Sequence, residues 1–539
     1  MSALRLSALP ATTMPAPALA PVPSADSVPL KTWIAVTAAM LGAFMAVLNI
    51  QIVNASLADI QGAIGAGLDD GGWISTSYLV AEIITIPLAG WLTRTFSLRT
   101  YLLVNAALFL LFSAACAFAH SLPEMIVLRA AQGFTGGVLI PLALTIVITM
   151  LPKSKQPIGF ALFAVSATFA PAIGPTIGGY LTDTYGWQYI FFLNLVPGGV
   201  MLAMLYASLE RAPMQLRLLR EGDWAGILTM ALGLGTLQTV LEEGNKNDWF
   251  GSSYILDLSL VSAVSLVAFL VIEFMVAKPL VNLRLLLRRN FALGTLSMAL
   301  MGFVLYGAVY ILPVYLAQMQ GYDAQQIGTV MAWYGLPQLL MIPVVQQLMK
   351  RIDARYLAAA GLLIFAASTF ATTGLSRDFS GPQFELTNLL RALGQGLMFT
   401  PLVGLGTAGI EPANAASASA LTNIARNLGG AVGIAFLQTF VTKREQFHSS
   451  VINPAVSLFS EATRGRLDEL TRYFLAHGVA DPGQARRQAM AALGHTVRQQ
   501  SFFLAYGDAF FLLGLALVLA AATVLIMRKS TGSGAAPAH

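Results

Sequence analysis

Apolar residues in this chain fall into long blocks separated by short polar breaks. At about 20 residues per membrane crossing, fourteen blocks are counted: 34–58, 73–93, 100–120, 123–150, 158–182, 188–209, 223–241, 253–276, 291–318, 325–349, 355–375, 384–408, 414–441 and 502–527. Each is long enough to span a hydrocarbon core about 30 Å thick as a helix. The pattern therefore predicts an all-α polytopic membrane protein with 14 transmembrane helices and both chain ends on one side. Residues 1–33, rich in Ala, Pro and Ser without an apolar core of signal-peptide length, are expected to form a disordered cytoplasmic tail.

One block departs from a uniform apolar surface. In 158–182, Ala167, Ala170, Gly174 and Gly178 recur at steps of three and four, on one helical face. Small residues at that spacing let two helix backbones approach closely in lipid. Pro171 and Pro175 remove two backbone donors from the same segment, so this helix is expected to bend where it touches a neighbour.

Composition agrees with the pattern: 56% of residues are hydrophobic and 11% charged, against roughly 25% charged in a soluble domain. The single cysteine, Cys116, lies in an apolar block and the five histidines do not cluster, so neither a disulfide framework nor a metal site is indicated. No catalytic triad or phosphate loop points to an enzyme, and no cofactor is expected. The net charge of +5 is not read as nucleic-acid affinity, because basic residues of membrane proteins collect in cytoplasmic loops. With the N-terminus inside, the six inner loops and their edges hold fourteen basic residues, from Arg94 and Arg99 to Arg351 and Arg355, whereas the six short outer loops hold Lys246 and Arg377. That asymmetry places both termini in the cytoplasm. Segment 442–501 is outer in this scheme despite eight basic residues, since long loops cross largely regardless of charge.

A faint repeat divides the chain. Leu128-Arg129-Ala130-Ala131-Gln132-Gly133, with Pro141 beyond it, recurs as Leu390-Arg391-Ala392-Leu393-Gly394-Gln395-Gly396 with Pro401. Both copies open helices entering from the same face, which is a transporter architecture of two related halves. The expected organisation is a six-helix half at 34–209, two additional helices with linkers at 210–290, a second six-helix half at 291–527 including the periplasmic loop 442–501, and a cytoplasmic tail at 528–539.

Several motifs resemble those of a known family. Gly174-Pro175-Thr176-Ile177-Gly178-Gly179, preceded by Pro171, resembles the fifth-helix antiporter signature of the major facilitator superfamily. Trp187 to Gly198 is similar to the segment just after that signature in the fourteen-helix EmrB/QacA drug:proton antiporters. Leu128 to Gly137 resembles the fourth-helix motif with its buried arginine, here Arg129, and Arg426-Asn427-Leu428-Gly429-Gly430 resembles the thirteenth span. The segment closing on Ala505-Tyr506-Gly507-Asp508 is most like the EmrB branch. Two positions depart from the family pattern: the usual first-helix aspartate is Asn49, within Leu48 to Asn54, and the loop motif after Gly90-Trp91-Leu92 carries Thr93 and Arg94 in place of its acid.

Charged groups at membrane depth are costly, so each is a functional candidate. Glu82 stands nine residues into the second span, about 14 Å from its end at 1.5 Å per residue, near mid-membrane. It either carries the coupled proton or braces Arg129, whose long arm is able to bridge the difference in height. Arg391 and Arg426, without an obvious acidic partner, either line the cavity or anchor backbone carbonyls. Asp59, Asp183 and Glu273 stand near helix ends and Asp508 about a turn and a half into the last span, where hydration is the ordinary state. Asn49, Gln51, Asn54, Gln132, Tyr306, Tyr310, Trp333 and Tyr334 are candidates for a substrate cavity, the amides equally for interhelical hydrogen bonds, while aromatic-rich helices more often serve packing. In segment 442–501, Leu467, Leu470 and Phe474 share one face and Met490, Leu493 and Val497 another; they either cap the outer mouth or dock a partner.

The resemblance implies proton-coupled export of hydrophobic or amphipathic drugs across a bacterial inner membrane by alternating access. It also implies a periplasmic adaptor and an outer-membrane channel as partners. The alternatives are export of one endogenous metabolite, lipid or siderophore, and, from a different class, a membrane sensor or scaffold that transports nothing.

Overall fold

The computed structural model describes residues 28–67, 70–276 and 279–529, so most of the expected tails lies outside the described residues. Helix is the one regular structure among them. The first half comprises α1 (Leu30–Ala55), α2 (Leu57–Ile64), α3 (Trp73–Phe96), α4 (Leu98–Cys116), α5 (Leu122–Gly136), α6 (Leu139–Met150), α7 (Gln156–Tyr185), α8 (Tyr189–Phe192) and α9 (Leu195–Ser208). After the short α10 (Arg217–Arg220) come α11 (Trp224–Glu243) and α12 (Ser253–Met275). The second half comprises α13 (Arg289–Gln320), α14 (Ala324–Leu348), α15 (Ala354–Ala371), α16 (Gly381–Thr407), α17 (Ala415–Ile452), α18 (Glu461–Ala476) and α19 (Pro482–Ile526).

Helices stand at all fourteen expected places, α5 with α6 and α8 with α9 each forming one crossing. Twelve crossings among the described residues are long and apolar enough to span a membrane, thirteen when the bent α7 is taken as one. The remaining helix, α14, has the length for a crossing at 25 residues.

Segment 442–501 is a difference. Instead of a loop, it is largely the continuation of α17, the separate α18, and the start of α19. At 45 residues α19 runs about 68 Å, more than twice a hydrocarbon core. Helix formers such as Ala, Arg and Gln continue it past the apolar part, and α18 folds back on it. The buried face of this hairpin includes Leu467, Ala485, Ala489 and Val497, while Met490 is exposed.

Glycine governs the closest approaches. A Cβ at Gly174 would collide with that of Gln51, and one at Gly178 would lie 2.8 Å from the Ile52 carbonyl oxygen, so α7 lies directly on α1. Ser166 Oγ donates to the Met40 carbonyl at 2.9 Å and Thr182 Oγ1 to Ser56 Oγ at 2.7 Å along the same seam. The bend lies between Gln156–Pro171 and Ile173–Tyr185, at 46°, where the proline signature sits. On its other side α7 meets α14 of the second half, with Gly328 beneath Thr176 and Gln346 Nε2 donating to the Pro157 carbonyl at 2.6 Å.

The second seam between the halves joins α3 and α6 to α17. Ala416 fits under Gly90, and Ser419 Oγ donates to the Pro141 carbonyl at 2.6 Å. The additional pair straps this seam. Ile83 and Trp91 of α3, Met230 and Leu234 of α11, Phe269 of α12 and Leu421 of α17 share one apolar cluster. At its far end Glu243 accepts from Thr76 Oγ1 at 2.9 Å, and Thr439 on α17 donates to Asn245 at 3.0 Å.

Candidate functional site

Three arginines lie at the centre of the bundle, each with a side chain essentially out of contact with solvent: Arg129, Arg391 and Arg426. Each faces a different chemical environment.

Arg129 on α5 is held on several sides. Its Nη1 donates to Asn49 Oδ1 at 2.7 Å and to Gln132 Oε1 at 2.6 Å, and its Nε to the Ile74 carbonyl at 3.2 Å. The guanidinium lies 4.3 Å from the Tyr78 ring centroid. Close packing brings these partners in, since a Cβ at Gly133 would strike the Tyr78 carbonyl. Glu82 is not among them. The brace between Glu82 and Arg129 does not form as an ion pair, because neutral acceptors on α1, α3 and α5 already take up the guanidinium.

Glu82, in the middle of α3 and buried, turns to the other half of the molecule. Asn427 Nδ2 of α17 donates to Glu82 Oε1 at 3.4 Å, and Asn427 Oδ1 accepts from Nε and Nη2 of Arg426, each at 3.4 Å. One amide therefore couples a carboxylate of the first half to a guanidinium of the second. Arg426 also stands 5.8 Å from the Phe163 ring on α7, and its Nη1 is unpartnered. Asn427 lies within the thirteenth-span motif, but residue order gives no sign that positions 345 apart meet.

Arg391 on α16 donates from Nη1 to Asn388 Oδ1 at 3.3 Å, and its Nε and Nη2 have no partner. Tyr334, Phe365 and Phe510 surround it with ring centroids 5.8, 6.0 and 5.8 Å away.

The remaining candidates scatter. Gln51 is half-buried, and Asn54 is exposed and accepts from Ser75 Oγ at 2.6 Å. Tyr306 lies against Gly430 and Tyr310 is half-buried, whereas Trp333 is 41% exposed on a face of α14 that Tyr334 does not share. Gly179 is buried within α7 beside Gly178. Asp59 is exposed on α2. Asp508 is paired: Arg444 Nε lies 2.6 Å and His448 Nε2 2.7 Å from its Oδ2. Glu273 is buried and accepts from the backbone N–H groups of Leu280 and Val281, fixing the linker. Glu243 escapes sequence reasoning, because it stands just past the apolar block 223–241, at the end of α11. Among the described residues no group of three or more His, Cys, Asp or Glu side chains suits a metal ion.

Two halves of six crossings, with a bent glycine-rich helix at one seam and buried charges facing across the other, make a transporter architecture of related halves. Residues 39–434 match the Major Facilitator Superfamily. The chain belongs to that superfamily. This major facilitator protein is 30% identical over 504 residues to the "Colistin resistance protein EmrB" of Acinetobacter baumannii, covering 93% of this chain and 97% of that one. It is 30% identical over 486 residues to the "Multidrug export protein EmrB" of Escherichia coli K12, covering 89% and 92%. Its fold is similar to the solved proton:xylose symporter XylE, at a TM-score of 0.57 and 16% identity over 91% of this chain and 94% of that one.

Proposed function

We propose that this protein is a proton-driven exporter of hydrophobic and amphipathic compounds, seated in a bacterial inner membrane with both termini in the cytoplasm. The names of its EmrB relatives and the crowding of basic residues at one end of the bundle support that reading. The observation that carries the coupling is the contact of Glu82 with Asn427 and, through it, Arg426. An ionised Glu82 draws on α17 through a charge-assisted hydrogen bond and through the nearby cation, in a medium where charges are weakly screened. A proton on Glu82 removes that attraction and releases α3 from α17, so protonation and the separation of the halves become one event.

The extension formed by α17, α18 and α19 supports a partner beyond the membrane. It displays Phe447, Val451, Leu458, Phe459 and Tyr473 to solvent, a surface suited to a periplasmic adaptor leading to an outer-membrane channel.

Proteoliposomes containing a trapped pH-sensitive dye, challenged with a panel of lipophilic compounds, test the coupling. The wild-type protein is expected to move protons when a transported compound is added. Glu82→Gln keeps the shape but cannot titrate, so it should bind compounds and move no protons. Glu82→Asp should retain part of the flux. Full proton-driven transport by Glu82→Gln removes Glu82 from the mechanism.

A further inference from the structure

Arg391 is 0% exposed and carries two unpartnered nitrogens, Nε and Nη2, on one edge of the guanidinium. Those two N–H groups point in parallel and form the fork that receives both oxygens of a carboxylate. One helical turn further along α16, Gln395 is also 0% exposed, and neither its amide oxygen nor its nitrogen has a partner. The Tyr334 hydroxyl, 2% exposed, faces this amide as its polar neighbour. Buried polar groups are satisfied in the great majority of cases, so the open Nε–Nη2 edge of Arg391, with the Gln395 and Tyr334 side chains beside it, marks a place able to take an acceptor absent from the chain. The charge of Arg391 meets no carboxylate at ion-pair distance among the described residues. Around it the walls are aromatic: Tyr334 of α14, Phe365 of α15 and Phe510 of α19.

We propose that this site, on opening, binds the anionic head of an amphipathic acid, its carboxylate on the Nε and Nη2 fork of Arg391 and its apolar body along Phe365 and Phe510. Gln395 and Tyr334 supply the further hydrogen bonds that an anion buried in a low-dielectric site requires. α14 is the wall that opens. It carries Pro337 and Pro343 beyond Tyr334, each of which removes a backbone hydrogen bond and lets the helix bend, and it packs on α7, the bent helix of the other half. The proposal deepens the export reading by naming a substrate class, and its test measures binding alone, so either reading is able to fail without the other.

The test uses the purified full-length protein in lipid nanodiscs and equilibrium dialysis at neutral pH, with empty nanodiscs subtracted. The probes are 4-butylbenzoate, which is ionised, and 4-butylbenzamide, of nearly the same shape and neutral. The wild-type protein should bind the benzoate at least about tenfold more tightly than the amide. Arg391→Leu should abolish that preference, and Arg391→Lys, a point charge without the fork, should reduce it to about threefold. Equal binding of acid and amide by the wild-type protein overturns the proposal. So does an unchanged preference in Arg391→Lys, which stands as the readout should Arg391→Leu fail to fold. Failure of the wild-type protein to bind the acid, beside intact drug-driven proton flux, would remove this site and leave the export reading in place.

Discussion

The two copies of the sequence repeat place an arginine at equivalent points of the two halves, and the surroundings are alike in plan but unequal in chemistry. Arg129 has Tyr78 of α3 against its face and Phe191 of α8 at 6.0 Å; Arg391 has Tyr334 of α14 and Phe510 of α19. The difference lies in the acceptors. Asn49 of α1, the Ile74 carbonyl and Gln132 take up Arg129, whereas Asn388 alone takes up Arg391, and the buried positions Val304, Leu305, Ala308, Val309, Ile311 and Leu312 of α13 are apolar. A duplicated scaffold has thus kept a cation in both halves and given it three acceptors in the first and one in the second, although Asn49 Nδ2 and Gln132 Nε2 stay unpartnered beside Arg129. The better-held guanidinium acts as structure, and the one with a free Nε–Nη2 edge is available to a ligand.

The largest expected effect breaks this comparison directly. Arg129→Leu strands Asn49 and Gln132 in the core, at about 1–3 kcal/mol for each unsatisfied group, so its thermal unfolding in detergent should fall by several degrees and its expression with it. Arg391→Leu removes two donors that already lack partners and strands the single acceptor Asn388 Oδ1, so the same measurement should show a clearly smaller loss. Equal losses in both variants would mean that the two arginines brace their halves alike.

A smaller effect is expected one turn along each helix. Gln132 accepts the 2.6 Å bond from Arg129, so Gln132→Leu should cost about 1–2 kcal/mol. Gln395→Leu, which removes an amide with both atoms open, should cost nothing measurable or stabilise the protein. A chemical-denaturation series on the two variants decides between these outcomes, and a loss at Gln395 equal to that at Gln132 would show Gln395 to be satisfied.

Much of this architecture is legible in the chain because lipid imposes a strong rule: every crossing must be a long apolar helix. The repeat around Arg129 and Arg391, the proline signature of α7 and the mid-membrane position of Glu82 are all visible in residue order. What residue order hides is pairing across the bundle. Glu82 and Arg129 stand at compatible depths, yet the carboxylate turns to Asn427, 345 positions away, because α3 also borders α17. Trp333 and Tyr334 are neighbours in sequence and face apart on α14, one exposed and one buried, which composition alone does not distinguish. The continuation of α17 and α19 beyond the apolar blocks escapes a hydropathy pattern for a simple reason: outside lipid, helices need no apolar surface all round.

The smallest expected effect concerns the acid that the family usually carries on its first helix. Asn49 Oδ1 lies 2.7 Å from Arg129 Nη1, so Asn49→Asp would set a carboxylate directly on the guanidinium. The present bond is already charge-assisted, a class worth about 1.5–3 kcal/mol, and an acid at position 49 adds the direct attraction of an ion pair to it. Placing a second charge at a buried site offsets part of that gain. The net expectation is a gain of about 1 kcal/mol, read as a thermal midpoint raised by a few degrees. The same bond decides what the new acid does in transport. Held by Arg129 inside the first half, it does not face α17 and cannot replace Glu82 in the contact between halves, so Asn49→Asp added to Glu82→Gln should restore stability and no proton flux. Recovery of drug-driven proton flux in that double variant would show that a carboxylate on α1 couples as well as one on α3. The acceptors around Arg129 would then belong to the transport cycle, and the contrast between the two arginines would rest on Arg391 alone.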